Sequence, residues 1–278
     1  FTGDKFSFDY IIQKNPQLLS SSYIPNYTSG LTFFIAVAAT NLFHQGNWQR
    51  VYAAQNYEVL KKSLIISFII IIPIVLFMGF SGLVAVSVNP NVIPDLGFFS
   101  LLLKDQNKFL SIIIIILGLS LTISTVDTLI NAISSLVIVD AKYTLGLKNK
   151  INYLKLSRYF IILLSVIAFV IASKGFSVLY LFLLADLFCC AFVLTVFYSF
   201  YNKQLNEKTA YISIIIGLIG GFLLFPAPDF SKSLLVGIIL PAQLFPAFVL
   251  QSLLFLSFLF ATVCPAIVIM IYDSFKRR

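Results

Sequence analysis

Charge is the first thing this sequence lacks. Only 11% of its 278 residues are Asp, Glu, Lys or Arg, against about 25% in an ordinary soluble chain. With 59% of the residues apolar, a water-soluble fold is excluded and a polytopic α-helical membrane protein is indicated. Histidine occurs once, at His44, which excludes a histidine-based metal cluster. The three cysteines, Cys189, Cys190 and Cys264, lie inside apolar stretches without the spacing of a metal site or a disulfide framework. Paired carboxylates and a Ser/His dyad at matching depth are missing too, so the chain does not read as an enzyme. The sequence opens at Phe1 without methionine or a basic leader, and is expected to be a piece of a longer protein.

Basic residues are present, and the net charge is +8. They sit in short connections between apolar spans, which is a topology signal and not a nucleic-acid-binding face. Residues 1–30, with Pro16 and Pro25, are expected to form an extracellular or periplasmic loop holding at most a short surface helix. Leu31–Gln45 is too short an apolar run for one clean crossing of a hydrocarbon core about 30 Å thick, and reads as a broken helix. Full spans are expected at Leu64–Val88, Phe109–Val139, Tyr159–Ser173, Phe176–Tyr201 and Tyr211–Phe225, with a short helix around Gly97–Leu103. Ser233–Tyr272 has room for a short re-entrant or surface helix plus a last span. That makes about seven crossings. With Phe1 outside, thirteen basic residues fall inside, among them Arg50, Lys61, Lys62, Lys148, Lys150, Lys203, Arg277 and Arg278. Six fall outside: Lys5, Lys14, Lys104, Lys108, Lys174 and Lys232. This bias places the C-terminus in the cytoplasm.

The chemistry concentrates in one helix. It opens with five consecutive isoleucines, Ile112 to Ile116, and then takes on hydroxyls, a carboxylate and a carboxamide. At about 100° per residue, Ser120, Ser124, Asp127, Asn131, Ser134 and Ser135 fall within about a third of the helix circumference. Such a face at membrane depth looks towards protein, water or an ion, not lipid. A hydroxyl on it can simply bond back to its own helix or join two helices. Asp127 is harder to place that way, because a carboxylate at a helix centre costs about 2.5–3.5 kcal/mol on insertion scales. It has a structural hydrogen bond to a neighbouring helix, or a job.

Four segments, in order and spacing, resemble the sodium:solute symporter family. Gln49-Arg50-Val-Tyr-Ala53-Ala54-Gln55 is similar to the family's Gln-Arg-x-x-Ala-Ala-Lys run, with Gln55 in place of lysine. Ser124-Thr125 resembles the Ser-Thr pair of its eighth core helix. Asp140 and Tyr143 echo the acidic residue and tyrosine that follow, and Val92-Ile-Pro94-Asp95-Leu-Gly-Phe98 resembles the segment that precedes.

The resemblance implies the second half of a five-plus-five inverted-repeat (LeuT-like) fold. Residues 31–201 would be core helices six to ten, and 202–278 two peripheral helices and a basic cytoplasmic tail. The first repeat is absent from this sequence and would be supplied by the rest of the protein. The implied activity is sodium-coupled symport of a small polar organic solute across the plasma membrane, the bacterial inner membrane in the first instance. Carried over by position, Ser124, Thr125 and the carbonyl of Leu121 would bind Na+, the coupling ion. His44 and Gln45 fall where the family contacts substrate; the alternative for His44 is a helix end facing headgroups, and for Trp48 an interfacial anchor.

Asp127 and Asn131 are substrate-binding or coupling candidates. Ser124-Thr125-Val-Asp127-Thr128 resembles a Ser-Thr-x-Asp-Ser run of branches with urea-like substrates, which tilts the solute class towards nitrogenous compounds. There Asp127 could support a second cation, carry a proton or bind a cationic group of the solute. A solute-sensing membrane module of a signalling protein is the second reading.

Overall fold

In a computed structural model of the chain, the described residues are 7–103, 108–144, 152–202 and 205–276. Lys5, Lys104, Lys148, Lys150, Lys203, Arg277 and Arg278, counted above in the charge bias, lie outside them. Among the described residues the regular structure is helical: α1 (Phe8–Lys14), α2 (Ile24–Phe43), α3 (Gln45–Ala53), α4 (Tyr57–Val88), α5 (Gly97–Leu103), α6 (Lys108–Thr144), α7 (Tyr153–Ala172), α8 (Val178–Tyr201), α9 (Glu207–Leu224), α10 (Ala247–Gln251) and α11 (Leu253–Lys276).

The helices start where the sequence supplies a cap. The side chains of Ser7, Asn56, Asn152, Ser177 and Asn206 each accept a backbone N–H from the first turn of α1, α4, α7, α8 and α9. Each such cap is worth about 1 kcal/mol. Asn56 explains why α4 begins well ahead of its apolar run at Leu64. At about 1.5 Å per residue, its 32 residues reach about 48 Å, so its polar first turns stand outside the hydrocarbon.

Among the described residues six helices are long and apolar enough to cross a membrane: Tyr57–Val88, Lys108–Val139, Leu154–Ala172, Val178–Tyr201, Glu207–Leu224 and Leu253–Phe275. The expected count of about seven included the broken helix, and that is the difference. α2 has 20 residues, but Asn26, Thr28, Ser29, Thr32, Thr40 and Asn41 dilute its apolar character. α2 also starts at Ile24, inside the stretch expected to be a loop, because proline is tolerated in a first helical turn and Pro25 does not stop it. The break itself is real and one residue long. α2 ends at Phe43, His44 is extended at φ −71° and ψ 101°, and α3 begins at Gln45.

The chain forms two compact units. The first comprises residues 1–19 and 44–175. In it α1 lies on the end of α4: Ile11 is fully buried, the rings of Phe8 and Phe80 are 4.9 Å apart, and the Asn15 amide donates to Ser87 Oγ at 3.4 Å. α5 packs on α4 through the buried Gly97, where a Cβ would stand at an ordinary contact distance of 3.6 Å from Ala85. α3 packs on α6, and α6 on α7.

The second unit comprises residues 20–43 and 176–278. Its core joins Ala36 and Ala39 of α2, Leu183, Leu187 and Cys190 of α8, and Phe258 and Ala261 of α11. Between two membrane helices there is no water to escape from, so close approach decides stability, and small residues permit it. α9 meets α11 through two glycines. A Cβ at Gly217 would stand 2.6 Å from Pro265 and 2.9 Å from the Ala261 carbonyl, and one at Gly221 would stand 3.0 Å from both Ala261 and Leu187. The turn between α7 and α8 uses Gly175 at φ +68°, a conformation that favours glycine.

Candidate functional site in the first unit

The polar side chains of α6 are of two kinds. Ser120, Thr122, Thr125, Thr128 and Ser134 donate their hydroxyl protons to carbonyls four residues back, at 2.7–2.9 Å. Ser135 donates to the Ala132 carbonyl at 2.8 Å. For these residues, back-bonding to their own helix satisfies the donor. Ser124, Asp127 and Asn131 differ: among the described residues their side chains make no hydrogen bond or ion pair, and all three are exposed. At spacings of three and four residues they form one line down the helix. The line sits at membrane depth, inside Lys108–Val139.

The back-bonded hydroxyls are still usable oxygens. Thr125 Oγ1 lies 2.9 Å from the Leu121 carbonyl oxygen, and each atom keeps a lone pair after that bond. With Ser124 Oγ, one turn of α6 therefore offers three neutral oxygens. Neutral oxygens are what a hard monovalent cation accepts while remaining able to leave.

α3 brings the broken helix to this region. His44 Nδ1 accepts the backbone N–H of Asn47 at 3.2 Å, and the His44 carbonyl accepts the N–H groups of Asn47 and Trp48. The ring is thus the N-cap of α3, which assigns the proton of a neutral imidazole to Nε2. Gly46 is buried beneath it: a Cβ there would lie 3.0 Å from His44 Cε1 and 3.9 Å from the Thr128 methyl. One turn on, Gln49 Nε2 donates to Ser135 Oγ at 2.9 Å. His44, Gly46 and Thr128 therefore share one space, next in sequence to Asp127. Among the described residues no hydrogen bond joins His44 or Gln45 to Ser124, Asp127 or Asn131. Gln45 is half-buried, and Trp48 stands beside Tyr52 with ring centroids 6.4 Å apart.

The second unit holds polar groups that the sequence reading passed over. Asp186, in the middle of α8, is 1% exposed and is hydrogen-bonded to Thr40 of α2. Thr195 of α8 and Ser213 of α9 bond at 3.0 Å. Tyr198 and Asn202 both donate to Asp273 Oδ2, beside an open cleft of about 670 Å³ lined by Leu194, Met270 and Ser274. The signal for Asp186 was available: it is the only charged residue between Val178 and Tyr201. It was missed because no other polar residue marks its helix face.

The family model of the sodium:solute symporters matches residues 14–217. No curated protein and no solved structure matches the chain significantly. The family match runs from the end of α1 into α9, and takes in the break at His44 and the whole polar face of α6. The chain, a multi-pass helical membrane protein, belongs to the sodium:solute symporter family, whose members are transporters.

Proposed function

We propose that this chain is the C-terminal part of a sodium-coupled transporter that takes up a small polar organic solute. The carrying observation is the line Ser124, Asp127, Asn131: three polar side chains without a hydrogen-bond partner among the described residues, inside a candidate span and on the helix against which α3 packs. A bilayer tolerates such a line where protein, ion or solute covers it. The Leu121 carbonyl, Ser124 and Thr125 supply three ligands to Na+. The remaining ligands come from a first repeat elsewhere in the protein, which pairs with residues 31–201 as the second repeat of an inverted pair.

On this reading Asp127 and Asn131 face the solute or a second cation. His44, fixed by its own cap to Asn47, presents Nε2–H as a donor, with Gln45 beside it. The N-terminal loop is outside and the C-terminus is in the cytoplasm of a plasma membrane.

The test is uptake by the full-length protein in proteoliposomes, with proline, urea, glucose and pantothenate as labelled solutes. Sodium should stimulate uptake of one compound. Ser124→Ala with Thr125→Ala should raise the sodium concentration for half-maximal uptake about tenfold or more, the equivalent of about 1.4 kcal/mol. Uptake indifferent to sodium and to the double substitution would end the coupling claim.

A further inference from the structure

The second unit contains a carboxyl group that the sodium site does not use. Asp186 lies on α8 among Leu183, Leu187 and Cys190, facing the small residues Ala36 and Ala39 of α2. One oxygen, Oδ1, is hydrogen-bonded to Thr40 Oγ1 at 2.5 Å. The other, Oδ2, is buried and has no hydrogen-bond partner among the described residues. Such an atom demands an explanation, because buried polar atoms are almost always satisfied.

A charged carboxylate is the costliest occupant of this place. Taking it out of water without a compensating cation costs far more than burying a neutral polar group. No cation is at hand on any helix that packs against α8. α2 has no Asp, Glu, Lys, Arg or His anywhere in Ile24–Phe43, and its one titratable group is Tyr27. α9 has Glu207, Lys208 and Tyr211 in its first turns, and α11 has Tyr272, Asp273 and Lys276 in its last, with Cys264 between. On α8 itself the groups beside Asp186 are the thiols of Cys189 and Cys190, with Tyr180, Tyr198 and Tyr201 nearer the ends. A metal ion is no better served, since a hard cation wants six or so oxygens, and among the described residues Thr40 alone is hydrogen-bonded to the carboxyl.

We propose that Asp186 is a proton-binding site, distinct from the sodium ligands, at which the carboxyl is carried as a neutral acid. Oδ1 is the carbonyl-type oxygen that accepts the Thr40 hydroxyl proton, and the acid's proton sits on Oδ2. Oδ2 is then a neutral hydroxyl, whose missing hydrogen bond costs about 1–3 kcal/mol and not the price of a bare charge. The acid joins α8 to α2 three residues before α2 ends at Phe43. Loss of the proton would leave an unpaired anion in the seam, and the seam must open to hydrate it. The second unit thus has a proton-operated contact of its own, and it holds whether or not the sodium reading does.

The experiment is infrared difference spectroscopy of the purified full-length protein in liposomes at neutral pH. The wild type should show the C=O stretch of a protonated carboxylic acid, shifted in heavy water. Asp186→Asn, which keeps the shape and the bond to Thr40, should remove one carboxyl equivalent of that band while the protein remains monodisperse. Thr40→Val should move the band without removing it, which preserves a readout if the Asn variant fails to fold. A wild-type spectrum without that band, or a band unchanged by Asp186→Asn or unmoved by Thr40→Val, would overturn the proposal. None of these readings depends on uptake, so a failure here and a failure of sodium coupling are separate results.

Discussion

The two units use the same apolar alphabet and solve opposite problems. In the second, α8, α9 and α11 close on one another through Gly217 and Gly221, and their polar groups meet in pairs across the seams. In the first, the most apolar stretches of α4, α6 and α7 contribute no buried residue, and the glycines Gly79, Gly82 and Gly118 have nothing within 4 Å of a would-be Cβ. The difference teaches that hydropathy states which residues enter a bilayer, while small residues and hydroxyl pairs state which helices touch. By that rule the second unit is packed as a finished interface. The first presents surfaces that lipid or further protein must cover.

The sharpest way to break the comparison is glycine replacement in both units. Gly217→Ala should cost about 1–3 kcal/mol through overpacking against Pro265, read as a lower unfolding temperature of the purified protein. Gly118→Ala should be neutral, or stabilising by up to about 1 kcal/mol as expected for an uncrowded helix position. Equal damage at both sites would mean that the bare face of α6 is in fact tightly covered.

A smaller effect is expected at the buried pair of α8 and α9. Thr195→Val should destabilise by about 0.6 kcal/mol, the usual scale for a hydrogen bond between membrane helices. Adding Ser213→Ala should cost little more, because both partners are then gone. Full additivity in that cycle would show that the two hydroxyls do not bond.

Gln49→Ala removes the bond from the exposed Gln49 to the half-buried Ser135. It should change the unfolding temperature negligibly and instead loosen α3, read as faster amide exchange in Gln45–Ala53. The slightest effect belongs to the connection after α9. There the hydroxyl and N–H of Ser231 hold the exposed Asp229 carboxyl below its ordinary titration range. Ser231→Ala should move that titration upward in a pH series. Since a depressed carboxyl favours the folded loop above its unfolded titration range and loses that advantage as pH falls, the variant should differ only near neutral pH and not in acid.

What the sequence made legible follows from this contrast. The polar line on α6 stands out because Ser, Asp and Asn are foreign to a run of isoleucine and leucine. The break at His44 shows because Asn41, His44, Gln45 and Gly46 end an apolar stretch too soon. Six candidate spans stand among the described residues against about seven expected, and the start of α2 at Ile24 was hidden because Pro25 and Asn26 resemble a turn and yet fit a first helical turn. Asp186 escaped because a lone acid carries no periodicity. Only the neighbour from α2, far away in sequence, reveals what it is for. Among the described residues the side chains of Ser124, Asp127 and Asn131 meet no hydrogen-bond partner, so no contact within them adds to what the pattern shows.

One feature of the α9–α11 seam has a chemical side as well as a steric one. Pro265 has no N–H, so it cannot serve the carbonyl of Ala261 four residues back, and in hydrocarbon no water can replace the missing donor. The place where a Cβ on Gly217 would stand is 2.9 Å from that same oxygen. Glycine puts an Hα there, so the orphaned carbonyl receives a C–H donor from the neighbouring helix, worth about 0.5–1 kcal/mol. The proline of one helix and the glycine of the next are thus a matched pair. A residue with an N–H at 265 would serve that carbonyl from its own helix, whereas a Cβ at 217 would still meet the Ala261 oxygen.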